Sequence, residues 1–147
     1  MNKTIKKSIA IHAPKEKVWE VLLKDDYTRQ WFSEFSEGTH ADTDWSVGSK
    51  ALFTDNTNSG MVAKIVENKK AELLSMEYLG SVENGKEEYE TEMAKAVKGG
   101  MEIYKLSENN GVTDLTISCD MGEDYFDMMS LAWDRALQKI KGLSEKG

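Results

Sequence analysis

Cysteine, histidine and proline are scarce in this sequence, and each scarcity excludes a class of protein. The single cysteine, Cys119, has no partner for an internal disulfide and cannot supply a multi-cysteine zinc site. The two histidines, His12 and His40, are too few for a histidine-rich catalytic metal centre. The single proline, Pro14, excludes a disordered proline-rich linker.

Long apolar runs and secretion signals are also missing. No stretch approaches the ~20 apolar residues that a membrane span needs. The basic residues within positions 1–7 are not followed by the apolar segment of a secretory signal. With only one cysteine as well, the sequence predicts a cytoplasmic protein with no membrane partner.

Positive charge is in deficit. The 19 basic and 26 acidic side chains give a net charge of −7. Nucleic-acid-binding domains and proteins that dock on anionic lipid both present a basic face, so neither nucleic acid nor a lipid surface is expected as a partner. What the chain does have is 39% hydrophobic residues over 147 positions, enough for a single domain, 1–147, with its own core.

Helical patterns occur near both ends of the chain. Pro14 suits the first turn of a helix, and apolar residues at helical spacing predict one over residues 14–23. The pair Asp25-Asp26 is expected to cap a second short helix. The longest helix is predicted over residues 123–141, with acidic residues at its start and Gly142 as its C-cap.

Alternating apolar and polar residues predict strands in most of the remaining chain. The predicted strands cover residues 4–12, 50–54, 61–67, 72–80, 101–107 and 112–120. Asn84-Gly85 and residues 109–111 are typical of tight hairpin turns. Residues 86–98 are charged and fit either an irregular insertion or a poorly paired strand. We therefore expect an α+β fold of five or six antiparallel strands, with the long helix covering one sheet face.

Several segments, taken in order, resemble one known family. They are Ile9–Pro14 with Val18-Trp19, Gly60–Ile65, Leu74-x-Met76-x-Tyr78, Tyr104-x-Leu106 with Gly111–Ile117, and Ala132-Trp133. Their order and spacing resemble the START-like (SRPBCC) superfamily, and most of all the branch named after the C-terminal domain of the activator of the heat-shock-protein-90 ATPase. The resemblance runs from about residue 5 to residue 143. It implies a helix-grip fold, in which a curved antiparallel sheet of about six strands wraps around a long C-terminal helix, with two short helices after the first strand.

Two departures from the family pattern bear on the cavity that such a fold often holds. Ala132 stands where the family commonly has glycine before the helix tryptophan, which would narrow the cavity by one methyl group. Residues 82–98 form a long acidic segment, which leaves the cavity rim undefined. The fold hosts cochaperones, lipid carriers and cyclases, so the resemblance alone does not set the function.

An apolar pocket between the sheet and the C-terminal helix is the site that this resemblance implies. Apolar pockets with a few polar groups are the usual ligand sites, and methionine adapts to irregular ligand shapes. The alternative is that the same side chains simply fill the core, as most residues of their kind do. The expected ligand-binding residues are Trp31, Phe53, Met61, Met76, Tyr78, Tyr104, Met129 and Trp133.

Candidates for catalysis are few. The carboxylates within residues 120–127 are expected to stabilise the N-terminus of the last helix and to keep the surface soluble. Cys119 is expected to be a buried, inert thiol. The hydroxyls of Tyr78 and Tyr104 have two interpretations. They contact the polar end of a ligand or, as the preferred interpretation, they contact water at the sheet edge. No nucleophile-elbow, phosphate-loop or dinucleotide motif occurs, so no catalytic residue, metal or cofactor is predicted.

Three functions remain open from the sequence. The first is binding of a small lipophilic or amphipathic molecule in the pocket. The second is cochaperone-like binding of a chaperone or another protein. Phe35 and Trp45 would anchor such an interface if they are exposed, and the alternative is that they pack at the sheet edge. The third is a cyclase- or hydrolase-type enzyme, which needs a carboxylate or histidine inside the pocket. The scarcity of histidine and cysteine places binding ahead of catalysis.

Overall fold

One open antiparallel sheet dominates the computed structural model, which describes residues 2–146, with side chains from residue 3 onward. Eight strands of the described residues form it: β1 (Asn2–Ile11), β2 (His40–Asp42), β3 (Lys50–Thr54), β4 (Gly60–Lys69), β5 (Leu73–Glu83), β6 (Lys86–Glu88), β7 (Met101–Asn109) and β8 (Val112–Gly122). Across the sheet the order is β1-β8-β7-β5-β4-β3-β2, and β6 pairs with β5 outside this path. The first and last long strands, β1 and β8, are thus neighbours in the sheet.

Four α-helices complete the described part of the fold. They are α1 (Lys15–Leu23), α2 (Asp25–Phe32), α3 (Glu92–Val97) and α4 (Phe126–Glu145), and a 3₁₀ turn at Glu123–Tyr125 leads into α4. Within residues 2–146, no helix combines the length and the apolar character that a membrane crossing requires.

The core lies between one face of the sheet and α4. In α4 the buried apolar side chains follow spacings of one, three and four residues and form one stripe; they are Ala132, Trp133, Ala136, Leu137 and Ile140. In β8 the alternate residues Leu115, Ile117 and Cys119 are buried and face the same side. The helix-grip arrangement expected from the resemblance, with two short helices after the first strand, is therefore confirmed.

Helix ends differ from the expectation in three places. Helix α4 begins after the 3₁₀ turn and continues to Glu145, so Gly142 lies inside the helix and is not its C-cap. Asp25 is the first residue of α2 and Lys24 is the N-cap, so the Asp25-Asp26 pair supplies charge to the first turn without capping it. Pro14 is the N-cap of α1 and lies just outside the helix.

The sheet has more strands than predicted because two short ones carry little sequence pattern. Strand β2 pairs three residues with β3, and β6 pairs three with β5. Residues 86–98 are neither irregular nor one poorly paired strand, since they contain β6 followed by α3. Thr91 begins α3 as an N-cap, with its Oγ1 accepting the Ala94 N–H at 3.1 Å.

The two Asn-Gly hairpins form as predicted. Asn84 and Gly85 have φ angles of 52° and 81°, and Asn110 and Gly111 have φ angles of 54° and 81°. Two successive left-handed residues are the signature of a type I′ turn, which matches the twist of the flanking strands. The β7–β8 hairpin built on the second turn fixes the register of the strands that carry part of the candidate site.

Candidate functional site

A pocket of about 260 Å³, partly open to solvent, lies where α2 and α4 meet the sheet. Its apolar walls come from α2 and the turn after it, from β3–β5 and β7, and from α4; they are Trp31, Phe32, Phe35, Phe53, Met61, Tyr78, Tyr104, Met129 and Trp133. The volume is just below the range of ~300–1,000 Å³ that is usual for sites of drug-sized ligands. The pocket therefore suits a small molecule rather than a bulky lipid.

Aromatic rings make up most of the pocket wall and hold one another in place. The Trp133 ring lies 6.1 Å from Trp31, 6.0 Å from Tyr104 and 4.9 Å from Phe35, measured between centroids. The Trp31 indole donates a 2.9 Å hydrogen bond to the Val21 carbonyl, in the last turn of α1. Such carbonyls have no partner within their helix, so this bond both caps α1 and fixes the Trp31 ring.

A carboxylate, Glu102, lies on the pocket wall and accepts hydrogen bonds from three side chains. The Tyr78 hydroxyl donates to its Oε1 and the Tyr104 hydroxyl donates to its Oε2. The Cys119 thiol lies 3.6 Å from Oε1 and 3.7 Å from the Tyr78 oxygen. We call Tyr78, Glu102, Tyr104 and Cys119 the polar cluster. Its hydroxyls are inside the protein, so the preferred expectation that they reach water is wrong.

The strand register explains why these four side chains meet. Glu102 pairs with Met76 of β5 and with Cys119 of β8, and residues paired across antiparallel strands face the same side. Tyr78 and Tyr104 lie two residues along from Met76 and Glu102, so they share that face. The sheet thus places a carboxylate on its core side.

Burial keeps protons on the donors of the polar cluster. It raises the pKa of the Tyr78 and Tyr104 phenols well above the ordinary value, and the neighbouring Glu102 and Cys119 add to the shift. Burial likewise raises the pKa of the Cys119 thiol, with Glu102 as the next cause. At neutral pH all three groups are neutral donors, and Cys119 is not a nucleophile.

Further polar groups line the pocket, among them the Trp133 indole and the Asp55 carboxylate. The Trp133 indole N–H is buried and has no hydrogen-bond acceptor among the described residues, although the Cys119 sulfur lies beside it. Asp55, in the β3–β4 turn, accepts hydrogen bonds from Thr57 and from Ser36, at 2.6 and 2.7 Å. These bonds lower the pKa of Asp55 to about 2, so it is a carboxylate at neutral pH.

The structure brings seven of the eight predicted ligand-binding residues to this pocket. They are Trp31, Phe53, Met61, Tyr78, Tyr104, Met129 and Trp133. Met76 does not line it: its side chain is 1% exposed and belongs to the closed core. Met76 shares a sheet face with Tyr78, but the pocket reaches β5 only at Tyr78. Whether any of the seven contacts a ligand stays a prediction.

A match to a known protein family covers most of these strands and helices. The model of the family described as Activator of Hsp90 ATPase homolog 1-like protein matches residues 12–145. The chain belongs to this family. The START-like resemblance seen in the sequence is thereby confirmed. No curated protein matches the chain.

Solved structures share the fold of this Activator of Hsp90 ATPase homolog 1-like chain at low sequence identity. Protein MLL2253 from Mesorhizobium loti is 14% identical with a TM-score of 0.75, and the match covers 96% of each chain. Aha1 from Colwellia psychrerythraea, solved as a dimer, is 19% identical with a TM-score of 0.70, over 99% of each chain. DynU16, a putative protein in the dynemicin biosynthetic locus, is 13% identical with a TM-score of 0.72, over 98% of this chain and 48% of its own.

Glu102 is the functional candidate that the sequence interpretation missed, and a signal for it was present. Tyr104 and Leu106 alternate on the buried side of β7, and the same period of two places Glu102 on that side. Enzymatic acid–base chemistry needs such a carboxylate in the pocket. Both Glu102 oxygens already accept hydrogen bonds from neutral donors, and no histidine is among the described residues that line the pocket. The arrangement favours Glu102 as a fixed acceptor and negative charge.

Ala132, the departure from the glycine common in this family, does not narrow the pocket. Its side chain is 3% exposed, but it is not among the pocket-lining residues. The neighbouring positions Met129 and Trp133 supply the α4 wall instead. The expectation of a cavity narrowed by one methyl group is therefore wrong for this pocket.

Proposed function

We propose that this protein binds a small, mainly apolar organic molecule in the pocket between α2, α4 and the sheet. The observation that supports this most is the pocket itself, which has aromatic and methionine walls and a few fixed polar groups. Ligand sites in proteins combine these features. The space of about 260 Å³ is many times the volume that one water molecule needs, so it is large enough for a small organic molecule.

The unpartnered Trp133 N–H supports the same proposal. Leaving a buried donor without an acceptor costs about 1–3 kcal/mol, and proteins rarely retain that cost without a use for the group. A ligand that carries an oxygen or nitrogen acceptor in addition to any charged group would satisfy the indole. One structural relative, DynU16, is a putative protein in the dynemicin biosynthetic locus, which is compatible with this proposal.

A pocket-filling variant with a matched control tests the proposal. Met129 lines the pocket, whereas its neighbour Met128 is 60% exposed and lies outside it. Met129→Trp should abolish the heat of binding of octanol in isothermal titration calorimetry, and Met128→Trp should leave it unchanged. If octanol does not bind the unmodified protein, or if both variants bind it equally well, the proposal fails.

A second candidate function is binding of an Hsp90-class chaperone. The family description and one surface feature support it. Tyr125, Met128 and Leu131 follow one another at intervals of three residues and are 49%, 60% and 60% exposed. Apolar side chains in such a stripe are typical of protein interaction sites. Replacing Met128 and Leu131 with Glu should weaken capture by a purified Hsp90-class chaperone. Absence of any capture of the unmodified protein would remove this candidate.

A further inference from the structure

The pocket is negatively charged, with no positive charge on its walls. Glu102 and Asp55 both line it, and none of the described residues that line it is lysine, arginine or histidine. The bonds to Glu102 come from neutral hydroxyls and a neutral thiol, so they orient its charge without neutralising it. Interactions between charges are several times stronger in a partly buried site than in bulk water.

Aromatic side chains line the same space. Trp31, Trp133 and Tyr104 form one connected group of rings, and Phe32 and Phe53 form another contact at 5.9 Å. The face of an aromatic ring carries negative partial charge and attracts cations, most strongly for tryptophan. The rings and the carboxylates therefore favour the same sign of ligand charge.

We infer that the ligand of this pocket is a small apolar molecule with a protonated amine or quaternary ammonium group, held by Glu102 and the surrounding rings. This inference rests on the proposed function and specifies its ligand class. A fatty acid or another anionic amphiphile would place its charge beside Glu102 in a site with no counter-charge, which is unfavourable. A neutral ligand would gain the apolar contacts but not the charge interaction.

The position of the polar cluster suggests how such a ligand would lie. Glu102 is on the sheet side of the pocket, whereas Asp55 is in the β3–β4 turn beside Ser36, which follows α2. The ammonium group would contact Glu102 and the two tyrosine oxygens, and the hydrocarbon part would lie along Met61 and Met129. Asp55 would add attraction for a cation during entry, screened in part by solvent.

Three probes with the same hydrocarbon chain test the inference. Octylamine, octanol and octanoate carry a positive, a neutral and a negative head at neutral pH, since alkylamines titrate like lysine and carboxylic acids like glutamate. Calorimetric titrations in about 0.15 M salt screen attraction to the acidic surface at large. We expect octylamine to bind at least about tenfold more tightly than octanoate, with octanol between them, and octanol to displace octylamine.

Matched variants assign the preference to Glu102. Glu102→Gln should weaken octylamine binding by about tenfold or more, because it removes the charge that faces the ammonium group. Glu67→Gln makes the same change at an exposed position of β4 outside the pocket, and it should leave octylamine binding unchanged. Met129→Trp should remove octylamine binding by filling the same space. Far-UV circular dichroism confirms that each variant is folded.

The outcomes separate this inference from the proposed function. If octanoate binds as well as octylamine, or if both glutamate variants weaken octylamine equally, the cation preference is overturned while ligand binding in the pocket stands. If none of the three probes binds, both proposals are overturned. Both proposals are supported if the unmodified protein binds octylamine most tightly, octanol less tightly and octanoate least, and if Glu102→Gln makes the three affinities similar.

Discussion

Two buried tryptophans of the pocket differ in one respect that stability measurements can resolve. Trp31 and Trp133 are 1% and 2% exposed and contact each other. The Trp31 indole donates to the Val21 carbonyl at 2.9 Å, whereas the Trp133 indole has no acceptor among the described residues. Replacing each with Phe removes the same atoms, so the lost-volume contribution is similar for the two variants and the hydrogen bond is the main difference.

The expected difference follows from the cost of an unmade hydrogen bond. Trp31→Phe leaves the Val21 carbonyl without its partner, which costs about 1–3 kcal/mol beyond the lost packing. Trp133→Phe removes a donor whose neighbour is the Cys119 sulfur, a weak acceptor, so little hydrogen bonding is lost with it. Trp31→Phe should therefore destabilise the protein by about 2 kcal/mol more than Trp133→Phe.

Urea unfolding followed by far-UV circular dichroism measures this difference without relying on tryptophan fluorescence, which both variants alter. With a slope of about 2 kcal/mol per molar urea, the two midpoints should differ by about 1 M. Equal midpoints, or a lower midpoint for Trp133→Phe, would refute the reasoning that the two indoles differ in hydrogen bonding.

Three further predictions test the rim, the thiol and the helix. The pKa of Asp55 is about 2 in the folded protein, below its ordinary value of 3.8, so its charge stabilises the fold above about pH 4 and this stabilisation is lost as the pH falls toward 2. The unmodified protein should therefore be more stable than Asp55→Asn at neutral pH and lose that advantage near pH 2. A stability difference that persists at pH 2 would contradict this. Cys119, buried with a raised pKa, should react with iodoacetamide far more slowly in the folded protein than in urea, and equal rates would refute the inert thiol. Ala132→Gly should lower the free energy of unfolding by about 1 kcal/mol through helix propensity and leave octanol affinity unchanged, whereas tighter octanol binding would show that position 132 limits the pocket.

Sequence patterns predicted the parts of the fold that local chemistry determines. The Asn-Gly pairs at 84–85 and 110–111 need left-handed backbone at both positions, which few other residues tolerate, and both form type I′ turns. The apolar stripe of α4 follows helical spacing from Trp133 to Ile140, so the covering helix was predictable as well.

Other parts depend on contacts that the sequence does not express locally. Strand β2 exists because His40–Asp42 pairs with Thr54–Leu52, and nothing in that polar segment predicts the pairing. Helix α3 follows a three-residue strand in a charged segment, where no periodicity of either kind develops. The sequence predicts the end of α4 too early, because Gly142 is tolerated inside a helix that continues to Glu145.

The pocket also has parts that the sequence predicts and parts that it does not. Its apolar residues were predictable from their type and from the family pattern, and seven of the eight lie around one space. Its polar cluster is not predicted from the sequence, because only the apolar members of the β7 alternation, Tyr104 and Leu106, indicate a buried face. A carboxylate at Glu102 breaks the apolar pattern, and only the pairing with Cys119 and the positions of the two tyrosine hydroxyls show how it is accommodated.

The methionine methyl groups give the most direct test of ligand binding in this pocket. Met61 and Met129 line it, Met76 is closed in the core, and Met93 and Met128 are 45% and 60% exposed on the surface. In a titration with octylamine followed by methyl NMR of methionine-labelled protein, the signals of Met61 and Met129 should shift saturably and together, while those of Met93 and Met128 stay in place. Shifts at the surface methionines with none at Met61 and Met129 would contradict binding in the pocket.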